Sequence, residues 1–187
     1  MPPQFTSRPS NATLLAWDKL SETERRLDAF DWAAMVVQHP RRCTLLINDL
    51  AFAFILSFET TLQVLGHEFQ LAVPFERWLS SRREYDVRCR GIRTLRNLEA
   101  HIRAGQIVAG VGRGAYSRFY GGHYQAHGVA WRLPSLSSSE VGRLKRHGRK
   151  IEDAELLSWN ALIDAEGATD SMREALISLA SIVAAAQ

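Results

Sequence analysis

The stretch Arg82–Arg103, RREYDVRCRGIRTLRNLEAHIR, carries seven arginines, and its reading decides the fold. From about Asp86 to Ala104 it reads as a helix, with Gly105 as its terminator. Gly91 is the weak point within it and marks a kink or a break from the preceding turn. At roughly 100° per residue, Ile92, Leu95, Leu98 and Ile102 share one sector that must face a core. Arg93, Asn97 and His101 form an i, i+4 row on the other, polar side. Arg96 lies roughly 140° from His101, so the two side chains flank that row.

Toward the N-terminus the chain alternates helical rhythm with stop signals. Asn11–Leu20 reads as a short leading helix or arm. Ser21 and Glu24 then match a capping box opening a helix that Pro40 ends near Gln38. Arg41 to about Leu65 has no Gly or Pro inside it and is apolar around much of its circumference, which suits the centre of a bundle or a subunit seam. Glu59 and Thr60 interrupt that surface, and a carboxylate there reads as a rim or capping group. Gly66 ends the helix, and Pro74 sits in the first turn of the next, whose apolar face is Phe75, Trp78 and Leu79.

Beyond Gly105 the character changes. Glycines and aromatics crowd residues 106–134 and suit a loop or small hairpin, with Gln106–Val111 and Gly128–Leu133 as the extended pieces. Ser137 and Glu140 offer a capping box for a basic helix, Glu140–Arg146. Ile151–Ala165 is acidic and apolar in helical rhythm. A last helix runs from a Ser171–Glu174 box to about Ala186, with Leu176, Ile177, Leu179, Ala180 and Val183 inward. The expectation is an all-α chain, one domain over 1–187, with an irregular insertion at 106–139.

Composition narrows the function classes. Hydrophobic content of 46% and charged content of 23% are ordinary for a soluble globular protein. Met1–Asn11 is polar with three prolines and reads as no signal peptide. The apolar run Thr44–Phe58 falls short of the ~20 residues a membrane span needs. Cys43 and Cys89 match no metal spacing and point to a reduced, cytoplasmic chain with free thiols. The net charge of +3 is unevenly spread: residues 82–150 hold fifteen Lys/Arg against four Asp/Glu, the rest eight against sixteen. If that segregation is also spatial, it makes a field suited to a polyanion.

Within the arginine-rich helix, Arg96-Asn97-Leu98-Glu99-Ala100-His101 places an arginine and a histidine four residues apart, followed on the arginine by a polar side chain. This resembles the signature of the HEPN domains (higher eukaryotes and prokaryotes nucleotide-binding), on a late helix after a long apolar one. The resemblance covers roughly Ser21–Gly105 and the last helix. It implies an up-and-down helical bundle that dimerises, and metal-independent RNA cleavage by 2′-hydroxyl attack at the dimer cleft, in a defence or toxin setting. His101 suits proton transfer near neutral pH. Arg96 suits holding phosphate and stabilising its growing charge. Asn97, one turn from His101, suits orienting the imidazole or the substrate. The subgroup silenced by a nucleotidyltransferase antitoxin carries a tyrosine two residues after the histidine, where this chain has Arg103.

Substrate contacts are expected from Arg93 and Arg103, and from Arg113, Tyr116, Arg118 and Tyr120 in the Gly/aromatic segment, where unpaired bases can stack. The partners implied are RNA, a second copy of the chain, and an antitoxin or other defence-system protein, with no membrane and no cofactor. Gly110, Gly112 and Gly114 lack the rest of a phosphate-loop pattern, and His123 and His127 lack a third ligand for zinc. Two other readings stand beside cleavage: a catalytically inactive HEPN-like module that binds RNA or a nucleotide or scaffolds a complex, and a helical protein whose basic surface meets an acidic partner.

Overall fold

Helix dominates the computed structural model, which describes residues 11–36, 40–67, 72–101, 109–111, 130–140, 142 and 153–186. In chain order the elements are α1 (Asn11–Val36), α2 (Pro40–Gly66), α3 (Ala72–Ser80), α4 (Val87–His101), β1 (Ala109–Val111), β2 (Ala130–Arg132), α5 (Asp153–Ala165) and α6 (Ala168–Ala185). The mainly helical class read from the sequence is the class the chain adopts. Within the expected extended pieces, β1 and β2 pair antiparallel, Ala109 opposite Arg132 and Val111 opposite Ala130.

No break separates the leading segment from the helix that follows it. Ala16, Leu20, Thr23, Leu27, Phe30 and Ala34 are all buried, one inward stripe at helical spacing that runs straight past Ser21. That continuity overrides the Ser21–Glu24 box, and the helix begins about a decade of residues earlier than the box implies. α1 and α2 form an antiparallel pair fastened by hydroxyls. Thr23 donates to the Lys19 carbonyl at 2.8 Å, and its oxygen lies 2.8 Å from Ser57 Oγ and 3.3 Å from Thr61 Oγ1. Such short side chains let the two backbones approach closely.

α2 is the expected greasy helix, and Ile47, Phe54, Ile55, Phe58, Leu62 and Leu65 are buried on it. By length and composition it corrects the membrane argument: Leu46–Gly66 spans 21 residues with a mean hydropathy of 1.3, enough to cross a bilayer. Half of that span is buried within the protein itself, and it carries the buried polar groups Ser57, Glu59 and Thr61. These are bonded across to α1 and α4, as in the central helix of a bundle. α3 buries Phe75, Trp78 and Leu79, as its pattern predicts.

Asp86 caps α4, its carboxylate accepting the backbone N–H groups of Arg88 and Cys89 at 2.9 and 3.1 Å. The helix runs through Gly91 without a break. Gly91 is needed for a close approach instead: a Cβ there would sit 2.1 Å from Trp159 Cε3 on α5. The Trp159 indole N–H donates to the Pro134 carbonyl at 3.2 Å, and Asn160 brackets Leu136 with two backbone bonds of 2.8 and 2.9 Å. The Ser137–Glu140 box forms reciprocally, Glu140 accepting from the Ser137 N–H at 3.0 Å and Ser137 Oγ from the Glu140 N–H at 3.3 Å. The expected box at Ser171 does not form. α6 begins after Gly167, with Ala168 and Met172 buried in its first turns, and Ser171 Oγ bonds Glu166 at 3.2 Å. Its inward face is Met172, Ala175, Leu179, Ile182 and Val183, with Leu176 and Ala180 partly covered; Ile177, expected inward, is 54% exposed.

Candidate active site

α4 is buried around most of its circumference despite its arginines. Ile92, Leu95 and Leu98 meet the core as expected, but Arg93 and Asn97 of the supposed polar row are buried too, as is Cys89 one turn before them. Arg93 and Asn97 retain only 8% and 4% of their exposure. The polar row is therefore an interior one over its first two turns. Burial pushes the Cys89 thiol well above its ordinary range, which makes it an inert packing group.

Arg93 explains how a charged row can be interior. Its Nε and Nη2 donate to Glu59 on α2 at 2.7 and 3.2 Å. Nη1 and Nη2 donate to Glu76 on α3 at 3.2 and 3.0 Å, and Nη1 donates to the Tyr85 hydroxyl at 2.8 Å. These contacts engage all five N–H donors of the guanidinium. Burial opposes the charge, but Tyr85, Glu76 and Glu59 more than reverse that effect and hold Arg93 protonated. No donor is left for phosphate, so the expected substrate-binding role of Arg93 gives way to tying α2, α3 and α4 together. Glu59, read as a rim or capping group, is 3% exposed and forms the core of this junction.

The same pattern occupies two more arginines of the basic stretch. Arg88 pairs with Glu166 and, at 3.5 Å, with Asp86; the hydrogen bond to Glu166 is the main reason its pKa is raised. Arg90 pairs with Glu155 on α5. Acidic side chains from outside residues 82–150 thus pair with Arg88, Arg90 and Arg93, so among the described residues charges that are segregated in sequence are brought together.

Arg96 is different. No carboxylate of the described side chains pairs with it; half-buried, it donates from Nη1 to Asn97 Oδ1 at 3.3 Å. The helix continues to His101, which is its last residue, so the backbone keeps positions 97 and 101 one turn apart on the same side. Arg103, Arg113, Tyr116, Arg118 and Tyr120 lie outside the described residues, as do His123 and His127. Among the described residues no group of three His, Cys, Asp or Glu gathers to hold a metal ion. One group was misread in the sequence and another went unrecognised. Glu59 sits within the apolar run of α2, where a buried acid demands a partner, and that was the signal the rim reading overlooked. Arg82, four residues after Trp78, stacks on that ring at 4.7 Å, and the i, i+4 spacing was its signal. Comparison with known proteins adds no relative: no family model, curated protein or solved structure matches the chain.

Proposed function

We propose that the chain is an endoribonuclease of the HEPN type, a helical bundle acting as a pair of copies and cutting RNA without a metal. The observation that carries this reading is Arg96. It is the α4 arginine without a carboxylate partner among the described side chains, fixed beside Asn97 on the helix that ends at His101. In the reaction, neutral His101 takes the proton of a ribose 2′-hydroxyl as its oxygen attacks the adjacent phosphorus. The bond to the 5′-oxygen breaks, and that oxygen leaves with a proton from an imidazolium. A cyclic 2′,3′-phosphate and a free 5′-hydroxyl remain. Arg96 holds the phosphoryl oxygens while their charge grows. An antitoxin or other defence-system protein as partner, and a cytoplasmic setting, belong to the same reading.

The burial of Arg93 and Asn97 favours a second reading, a module that binds RNA or a nucleotide and does not cleave it. Incubating the purified protein with total RNA, with and without chelator, separates the two. Cleavage that survives chelation and leaves cyclic phosphate and 5′-hydroxyl ends supports the ribonuclease. RNA bound but intact supports the module, and cleavage lost on chelation removes the mechanism.

A further inference from the structure

The turn between α3 and α4 faces α5 across a cleft of about 300 Å³ lined by Arg82, Arg83, Tyr85, Asp86, Arg90 and Glu155. Three guanidinium groups and two carboxylates meet there, and most of their charge is already matched. Asp86 accepts two backbone N–H groups at the start of α4, so the helix N-terminus is closed to any ligand. Arg90 pairs with Glu155 across the cleft. Arg83, whose side chain is 94% exposed, reaches Glu84 at 3.4 Å.

Arg82 has no such match among the described residues. Its guanidinium lies 4.7 Å above the Trp78 ring, held in place from below, and its Nε is buried without a hydrogen-bond partner. A buried donor left orphaned is costly unless something else satisfies it. A planar fork held by an aromatic ring and lining a cleft is suited to bidentate capture of an oxyanion. A carboxylate offers only two oxygens, whereas a phosphoryl group offers three to the three arginines lining the cleft. We propose that this cleft is a phosphate-binding site, with Arg82 its principal ligand and Arg90 released from Glu155 to join it. The phosphate can come from a nucleic-acid strand or from a free phosphate. The site stands apart from Arg96 and His101 and does not depend on whether the chain cuts RNA.

Inorganic phosphate and a short oligouridylate are titrated calorimetrically into the wild type, Arg82→Gln, Arg82→Lys and Ala154→Glu. Ala154 is an exposed lining residue, so Ala154→Glu places a carboxylate in the cleft without disturbing the core and serves if Arg82→Gln fails to fold. Phosphate affinity should fall about ten- to a hundredfold in Arg82→Gln, the loss expected for a charge-assisted hydrogen bond. Arg82→Lys should recover part of it, and Ala154→Glu should abolish binding. A loss confined to inorganic phosphate assigns the cleft to free phosphate; a loss that includes the oligonucleotide, or is confined to it, puts the cleft on the path of a strand. Phosphate binding that depends on Arg82 in a protein that ignores the oligonucleotide keeps the cleft and removes the RNA reading. Phosphate and oligonucleotide affinities unchanged in both Arg82→Gln and Ala154→Glu would overturn the proposal.

Discussion

Among the described residues Arg93 and Glu59 form the most buried ion pair, and the partners they share let its contribution be apportioned. Removing one member of a buried ion pair leaves the other charge uncompensated, so Glu59→Ala should cost about 3 kcal/mol in urea unfolding. Glu76 meets the same guanidinium, but its side chain is 52% exposed, and Glu76→Ala should cost under about 1 kcal/mol. Equal costs would contradict this division. Tyr85 gives the junction a pH dependence. Burial, working against the attraction of Arg93, raises its pKa above the ordinary 10.0. The folded protein then keeps a proton that the unfolded chain releases, so stability falls as pH rises past 10.0. Tyr85→Phe should flatten that alkaline loss, while lowering stability at neutral pH because Arg93 loses an acceptor; the unfolding midpoint measured across this range tests both.

At the level of elements, the close contact between α4 and α5 rests on Gly91. In an isolated helix Gly→Ala gains about 1 kcal/mol. Here the added methyl would meet Trp159 Cε3 at 2.1 Å, so Gly91→Ala should destabilise by about 1–3 kcal/mol. In a Trp159→Ala background the sign should reverse, and a double-mutant cycle without coupling would remove this account. Gly91 also shows where the sequence was readable and where it was not. Periodicity and stop signals found α2, α3, the two strand segments and the Ser137–Glu140 box, because each depends on residues within one or two turns. They misjudged Gly91, whose reason is a ring on another helix. They misjudged α4 more seriously, since the carboxylates that let its arginines enter the interior lie 34, 65 and 78 residues away. Of the candidate site, Arg96 and Asn97 were legible as a local spacing. The occupation of Arg93 was not, because nothing near it in the chain announces Glu59.

For the whole molecule, ion pairs with acidic residues match Arg88, Arg90 and Arg93 and leave Arg82 and Arg96 without a carboxylate partner among the described residues. The apolar surface is uneven in a similar way. Leu46 and Leu56 on α2 are 52% and 43% exposed, which supports the pairing of two copies. The protein should therefore sediment as a dimer at micromolar concentration, and Leu56→Glu should shift it toward monomer; a monomeric wild type would count against a shared cleft. The most direct measurement of the ribonuclease account is the single-turnover cleavage rate of one RNA by the wild type and by His101→Ala, with RNA affinity determined in parallel. Loss of a general acid–base group costs about 10²–10⁴-fold, so cleavage should fall by at least that factor while affinity stays within a few-fold of the wild type. Cleavage that persists at the wild-type rate in His101→Ala would contradict it.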